Sequence, residues 1–133
     1  MNDVRIAREL LLLAEGGQVA ELVAGATPVV LYSDVPTAGD GHGLPGVADV
    51  VVPVPSGYPG GIIDLAGLPV GSPFLDLVKG GRNSQGLITI CDRDWQLASY
   101  HPHNGGGGPP WDPNRHGFHT YLDHLIAWLA HLN

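Results

Sequence analysis

Residues 48–61 read ADVVVPVPSGYPGG, and the architecture of the chain follows from how this stretch is taken. Val50, Val51 and Val52 are β-branched and favour extended chain. Pro53 and Pro55 lack the N–H that a sheet ladder needs, so they fit only an edge or the end of that strand. Ser56–Gly61 is then a turn cluster. Upstream, Pro28–Tyr32 is a short apolar run and Gln18–Ala24 alternates weakly. Gly25, Ala26 and Thr27 are suited to close these two as a hairpin. Thr37–Gly46 (TAGDGHGLPG) is a glycine-rich loop leading into the third strand. A three-strand antiparallel meander is the expectation.

Helices flank this meander. Val4–Ala14 (VRIARELLLLA) has helical composition and stops at Gly16-Gly17, where glycine can supply the left-handed C-terminal residue. Val4 and Leu11 are expected to face the core, with Arg5, Arg8, Glu9 and Glu15 in water. At the other end Phe118, Tyr121, Leu122, Leu125, Leu129 and Leu132 recur every three or four residues and form one apolar stripe. Between them, Ile62–Val78 shows no clean period and reads as irregular chain packed on the sheet. Gly80–Gln85 reads as a polar loop and Leu87–Cys91 (LITIC) as a brief strand. His101–Arg115, with four consecutive glycines, reads as loop. The expectation is one α+β domain over residues 1–133, with helical ends at 1–17 and 116–133 and a Gly/Pro-rich loop at 101–115.

Composition narrows the function. Thirteen acidic against six basic residues give a formal net charge of −7, which repels a phosphate backbone or an anionic membrane surface. No apolar run approaches the roughly 20 residues of a bilayer span. Ile6–Ala14 contains Glu9 and lacks a small-residue cleavage site, unlike a signal peptide. A single cysteine cannot form an internal disulfide, which agrees with a reducing, cytoplasmic setting. Lys79 is the sole lysine. That reflects a small charged surface, or a protein that carries an amine-reactive acyl group and gains from having few amines.

Two groups of residues can carry chemistry. Cys91 ends an apolar strand immediately before Asp92-Arg93-Asp94; Arg93 favours a thiolate there and the two aspartates oppose it. By its strand alone it also reads as a small buried hydrophobe. The second group is histidine: His101, His103, His116, His119 and His124. An extended His101-x-His103 pair would point both rings to one face, as zinc sites require. His119 and Asp123 stand four apart on the closing helix, where a carboxylate can orient an imidazole, and Asp112 with His116 could complete a site. With His101, His103, His116 and His119 as ligands this is a zinc hydrolase reading; histidines that cap or bond to backbone are the plain alternative. Gly105–Gly108 lacks the Lys-Ser/Thr of a phosphate loop. Trp95 and Trp111 read as packing anchors.

Val51–Gly60, VVPVPSGYPG, resembles the third strand and Tyr-Pro turn of ubiquitin-conjugating enzymes, and the order of elements is similar: helix, meander, Tyr-Pro turn, cysteine-bearing stretch, helix. Trp95, Trp111, Asp112, Arg115-His116 and the closing HTYLDHLIAWLAHL more closely resemble a divergent bacterial, family E type branch of such proteins. That branch is found beside bacterial ubiquitin-like proteins, activating enzymes and deconjugating metalloproteases. The resemblance implies a UBC-like fold and a thioester on Cys91 that passes a ubiquitin-like protein to an amine, with those proteins as partners and no cofactor. It makes Tyr58, Pro59, Trp95 and Trp111 structural neighbours of the site. In the eukaryotic enzymes a His-Pro-Asn motif precedes the cysteine. Here His101-Pro102-His103-Asn104 follows it, so oxyanion stabilisation by Asn104, His103 or His101 depends on three-dimensional proximity. A non-catalytic binding module of the same fold is the alternative.

Overall fold

The computed structural model describes residues 3–37, 39, 43–77, 86–100, 102 and 109–131. Helix α1 (Asp3–Glu15) leads into strands β1 (Val19–Val23), β2 (Val29–Pro36), β3 (Val47–Pro53) and β4 (Leu65–Pro69). A 3-10 turn (Pro73–Leu77), the hairpin β5 (Leu87–Ile90) and β6 (Arg93–Ser99), and helix α2 (Phe118–His131) complete the order. All strand pairs are antiparallel, in the order β1-β2-β3-β4-β6-β5. The meander therefore extends to four strands, and β6 then inserts between β4 and β5.

Helix α1 stops where the glycines stand. Gly17 takes φ 89°, and Gly17 N and Gln18 N bond to Ala14 O and Leu13 O. The β1–β2 hairpin pairs Val23 with Val29 across residues 24–28, as Gly25-Ala26-Thr27 suggested. Pro53 closes β3 opposite Val29, at the end of a strand that is central in the sheet. One expectation about the sheet fails: Leu65–Pro69 (LAGLP) is a paired strand rather than irregular chain, and beyond Cys91 the chain forms a further strand, Arg93–Ser99, that carries Trp95. Gly67 explains part of the pairing of Leu65–Pro69. It faces Val51 in β3, and a Cβ there would press on Val51 and Leu97, so β4 needs glycine to lie between its neighbours.

Period-two alternation divides the core. Val30, Tyr32, Val50, Val52, Ala66 and Leu68 face the helices and pack with Ile6, Leu13, Phe118, Tyr121, Leu125 and Leu129. Val29, Val51, Trp95 and Leu97 form a second cluster on the opposite face, joined by Val23, Leu31, Ile88 and Ile90. Val23 and Ile88 come from opposite edges of the sheet order yet line one groove, so the sheet curls. The stripe of α2 is buried as expected at Phe118, Tyr121, Leu125 and Leu129. Helix α1 is rotated from its expected setting: Ile6, Glu9 and Leu13 are buried, while Val4 and Leu11 are 78% and 60% exposed. The run LLLLA offers apolar side chains on every face, so it does not fix the phase. The partner of Glu9 does. Among the described residues no helix is long and apolar enough to cross a membrane.

Candidate functional site

Cys91 lies at the tip of the β5–β6 hairpin. Ile90 pairs with Arg93, leaving Cys91 and Asp92 as a two-residue loop at φ 52° and 61°. Two positive φ values define the turn type that suits hairpin twist, which normally takes Asn-Gly or Asp-Gly. A non-glycine side chain in that region costs about 1–2 kcal/mol, least for aspartate. Cys91 is exposed, so it is not the small buried hydrophobe its strand suggested. The hairpin beneath it is rigidly framed. Trp95 is fully buried, its Nε1 donates to Ile90 O at 3.1 Å, and Thr89 Oγ1 donates to Asp94 Oδ1 at 2.7 Å.

Arg93 does not serve the thiol as its sequence position suggested. Its Nη1 donates to Asp49 Oδ2 on β3 at 3.0 Å, and its guanidinium lies 4.8 Å from the Trp95 ring centroid. Cys91 borders a groove of about 370 Å³ formed by Val23–Thr27 and Ile88–Ile90. His101, His103, Asn104, Lys79 and the glycine run Gly105–Gly108 lie outside the described residues.

A second polar centre forms on the helix side. Glu9 is 3% exposed, and its carboxylate collects donors from three parts of the fold. Tyr58 Oη and Phe118 N both donate to Oε1, at 2.6 and 3.1 Å, and Arg5 Nε donates to Oε2 at 2.8 Å. Arg5 Nη2 also donates to His116 O at 2.7 Å. Glu9 thereby satisfies the first orphan N–H of α2 and places negative charge at its positive end. Gly117 makes room, since any Cβ there would collide with the Glu9 carboxylate. Burial, then the bond to Glu9, holds the Tyr58 hydroxyl well above its ordinary pKa.

The residues expected near a thioester site divide between these two centres. Tyr58 and Pro59, joined by a cis peptide, belong with Glu9. Trp111 joins them: its Nε1 donates to Pro59 O at 2.9 Å, and its ring centroid is 6.2 Å from that of Tyr58. Trp95 belongs with Cys91. His119 turns toward Glu9 instead of Asp123, with Nδ1 buried 4.0 Å from Glu9 Oε2 and without a hydrogen bond. His116 Nδ1 accepts from the backbone N of Asp112 at 2.9 Å, so this pair meets through backbone. Among the described residues no three His, Cys, Asp or Glu side chains converge as a metal site. Sequence reasoning missed Glu9 and Arg5 altogether. The Glu9 spacing resembled a solvated face, and its partners stand 49 and 109 residues away.

No protein-family model, curated protein or solved structure matches the chain.

Proposed function

We propose that the chain is a UBC-like protein that carries a ubiquitin-like protein as a thioester on Cys91 and transfers it to an amine. The observation that carries this reading is the exposed sole thiol of the chain, held at a hairpin tip at φ 52°. Strain retained at an exposed, chemically capable residue points toward function rather than packing. The order of helix, meander, Tyr58-Pro59 turn, cysteine-bearing hairpin and helix supports the same reading. In the step itself, the Cys91 sulfur attacks the activated C-terminal carbonyl of the donor. The donor's leaving group departs with the electron pair, and the thiol proton passes to solvent. An acceptor amine then attacks the thioester and releases the thiol.

The test is a loading reaction. The protein is mixed with its activating enzyme, ubiquitin-like protein and ATP, and intact mass is read with and without reductant. A reductant-sensitive adduct on wild type, a reductant-resistant ester on Cys91→Ser and no adduct on Cys91→Ala are expected. Equal loading of all three would contradict the reading. Discharge slowed by Asn104→Ala would add the His101–Asn104 segment to the transfer step.

A second reading rests on a specific observation. Asp92 and Asp94 follow Cys91, and the cation between them, Arg93, is directed to Asp49 rather than to the thiol. This favours a non-catalytic module that binds ubiquitin-like folds. Absence of an adduct, with the activating enzyme shown to be charged, selects it. The zinc hydrolase alternative turns on His101 and His103 and is tested by elemental analysis of the purified protein.

A further inference from the structure

The outer edge of β5 carries a set of backbone groups that no described strand uses. Leu97 N bonds to Gly86 O, so Gly86 and, by alternation, Ile88 and Ile90 turn their backbone groups toward β6. Leu87 and Thr89 then direct their N–H and C=O groups away from β6. Strand β5 ends the sheet order, and no described strand pairs with that outer side. Sheet edges of this kind are usually shielded by proline, a bulge or lysine, and Leu87–Ile90 contains none of these. Leu87 is 62% exposed.

Beside this edge runs the groove of about 370 Å³ whose far wall is the β1–β2 turn, Ala24–Thr27. Ile88 and Ile90 supply an apolar wall, and Gly25 and Ala26 leave room for side chains of an added strand. Among the described residues, the charges beside it are acidic apart from Arg93. Asp92 is exposed at the turn and exposed Glu21 lies on the same face of β1 as groove-lining Val23, while Asp94 stands on the other face of the hairpin, bonded to the Thr89 hydroxyl. The nearby cation, Arg93, is paired with Asp49.

We infer that β5 is a strand-pairing dock for an extended, lysine- or arginine-bearing peptide, held by the backbone of Leu87 and Thr89 with its apolar side chains in the groove. A second copy of this chain is a poor occupant, because both edges would bring the same acidic flanks together in a molecule of net charge −7. The inference concerns peptide binding and does not rest on thioester chemistry at Cys91.

The experiment uses full-length Cys91→Ser protein and two capped hexapeptides of alternating valine and threonine, one flanked by lysines and one by glutamates. Amide exchange at Leu87 and Thr89 is followed as each peptide is added. Protection of both amides is expected, with the lysine peptide bound about tenfold or more tighter at low salt. Thr89→Pro removes an outward N–H, which an edge tolerates, so it should keep β5–β6 paired and abolish binding. Thr89→Val, which keeps the N–H, should bind as before. Four outcomes would overturn the inference: no protection by either peptide; equal protection by both; wild-type binding by Thr89→Pro; or protection that rises with protein concentration alone, the mark of self-pairing.

Discussion

The Glu9 junction and the Cys91 tip break the same kind of rule in opposite ways. A carboxylate is buried at one and non-glycine residues adopt left-handed backbone at the other. At the junction the departure is compensated: Glu9 receives donors from α1, the Tyr58 turn and α2, and Gly117 clears the space. At the tip no packing among the described residues compensates, since Cys91 is exposed and Arg93 points to Asp49. A buried charge with satisfied bonds holds elements together, and removing one partner leaves the others stranded. An exposed strained thiol contributes little to the fold and is free to react.

The sharpest way to break this contrast is Glu9→Ala. It leaves the Tyr58 hydroxyl, the Phe118 N–H and the Arg5 guanidinium without their acceptor, and about 3–5 kcal/mol of stability should be lost in urea unfolding. A loss below 1 kcal/mol would mean that the junction is ornamental. Alkali probes the same side of the sheet. Burial raises the pKa values of Tyr32, Tyr58 and Tyr121, and pushes Tyr100 up to about 12. Such groups hold their protons more tightly folded than unfolded. Their contribution to stability is complete below pH 10 and declines as pH rises above it. Tyrosinate absorbance should therefore appear together with loss of helical circular dichroism above pH 10. Early ionisation without unfolding would show these hydroxyls to be accessible.

Smaller substitutions refine the comparison. Tyr58→Phe removes one donor from a charged acceptor and should cost about 1.5–3 kcal/mol, read as a shift in the urea midpoint at unchanged slope. At the tip the sign reverses. Asp92→Gly places glycine at φ 61° and should stabilise by about 0.5–1 kcal/mol, whereas a destabilised variant would show that the aspartate makes a contact of its own.

Much of the fold was legible because period and punctuation agree. The stripe of α2, the Gly16-Gly17 stop and the 18–32 hairpin each follow from local chemistry. Strand β4 was hidden by its composition: LAGLP has one glycine, one proline and no β-branched residue, and its pairing with β3 and β6 supplies what propensity does not. Strand β6 was hidden by Arg93, Asp94 and Gln96, although Trp95, Leu97 and Ser99 alternate with them. The phase of α1 was not legible, because Glu9 is drawn inward by donors distant in sequence. For the site, Cys91 stands out by being unique. That its thiol is exposed depends on a turn conformation which neither Cys91 nor Asp92 announces.

The most direct test of the division is to measure two quantities on wild type, Glu9→Gln and Cys91→Ala: the thermal midpoint and the reductant-sensitive adduct that the proposed thioester role requires, in the loading reaction described above. The account predicts that Cys91→Ala keeps the wild-type midpoint and loses the adduct. It predicts that Glu9→Gln lowers the midpoint and still forms the adduct at a temperature where it is folded. A Cys91→Ala protein that loads normally, or a folded Glu9→Gln protein that does not, would contradict it.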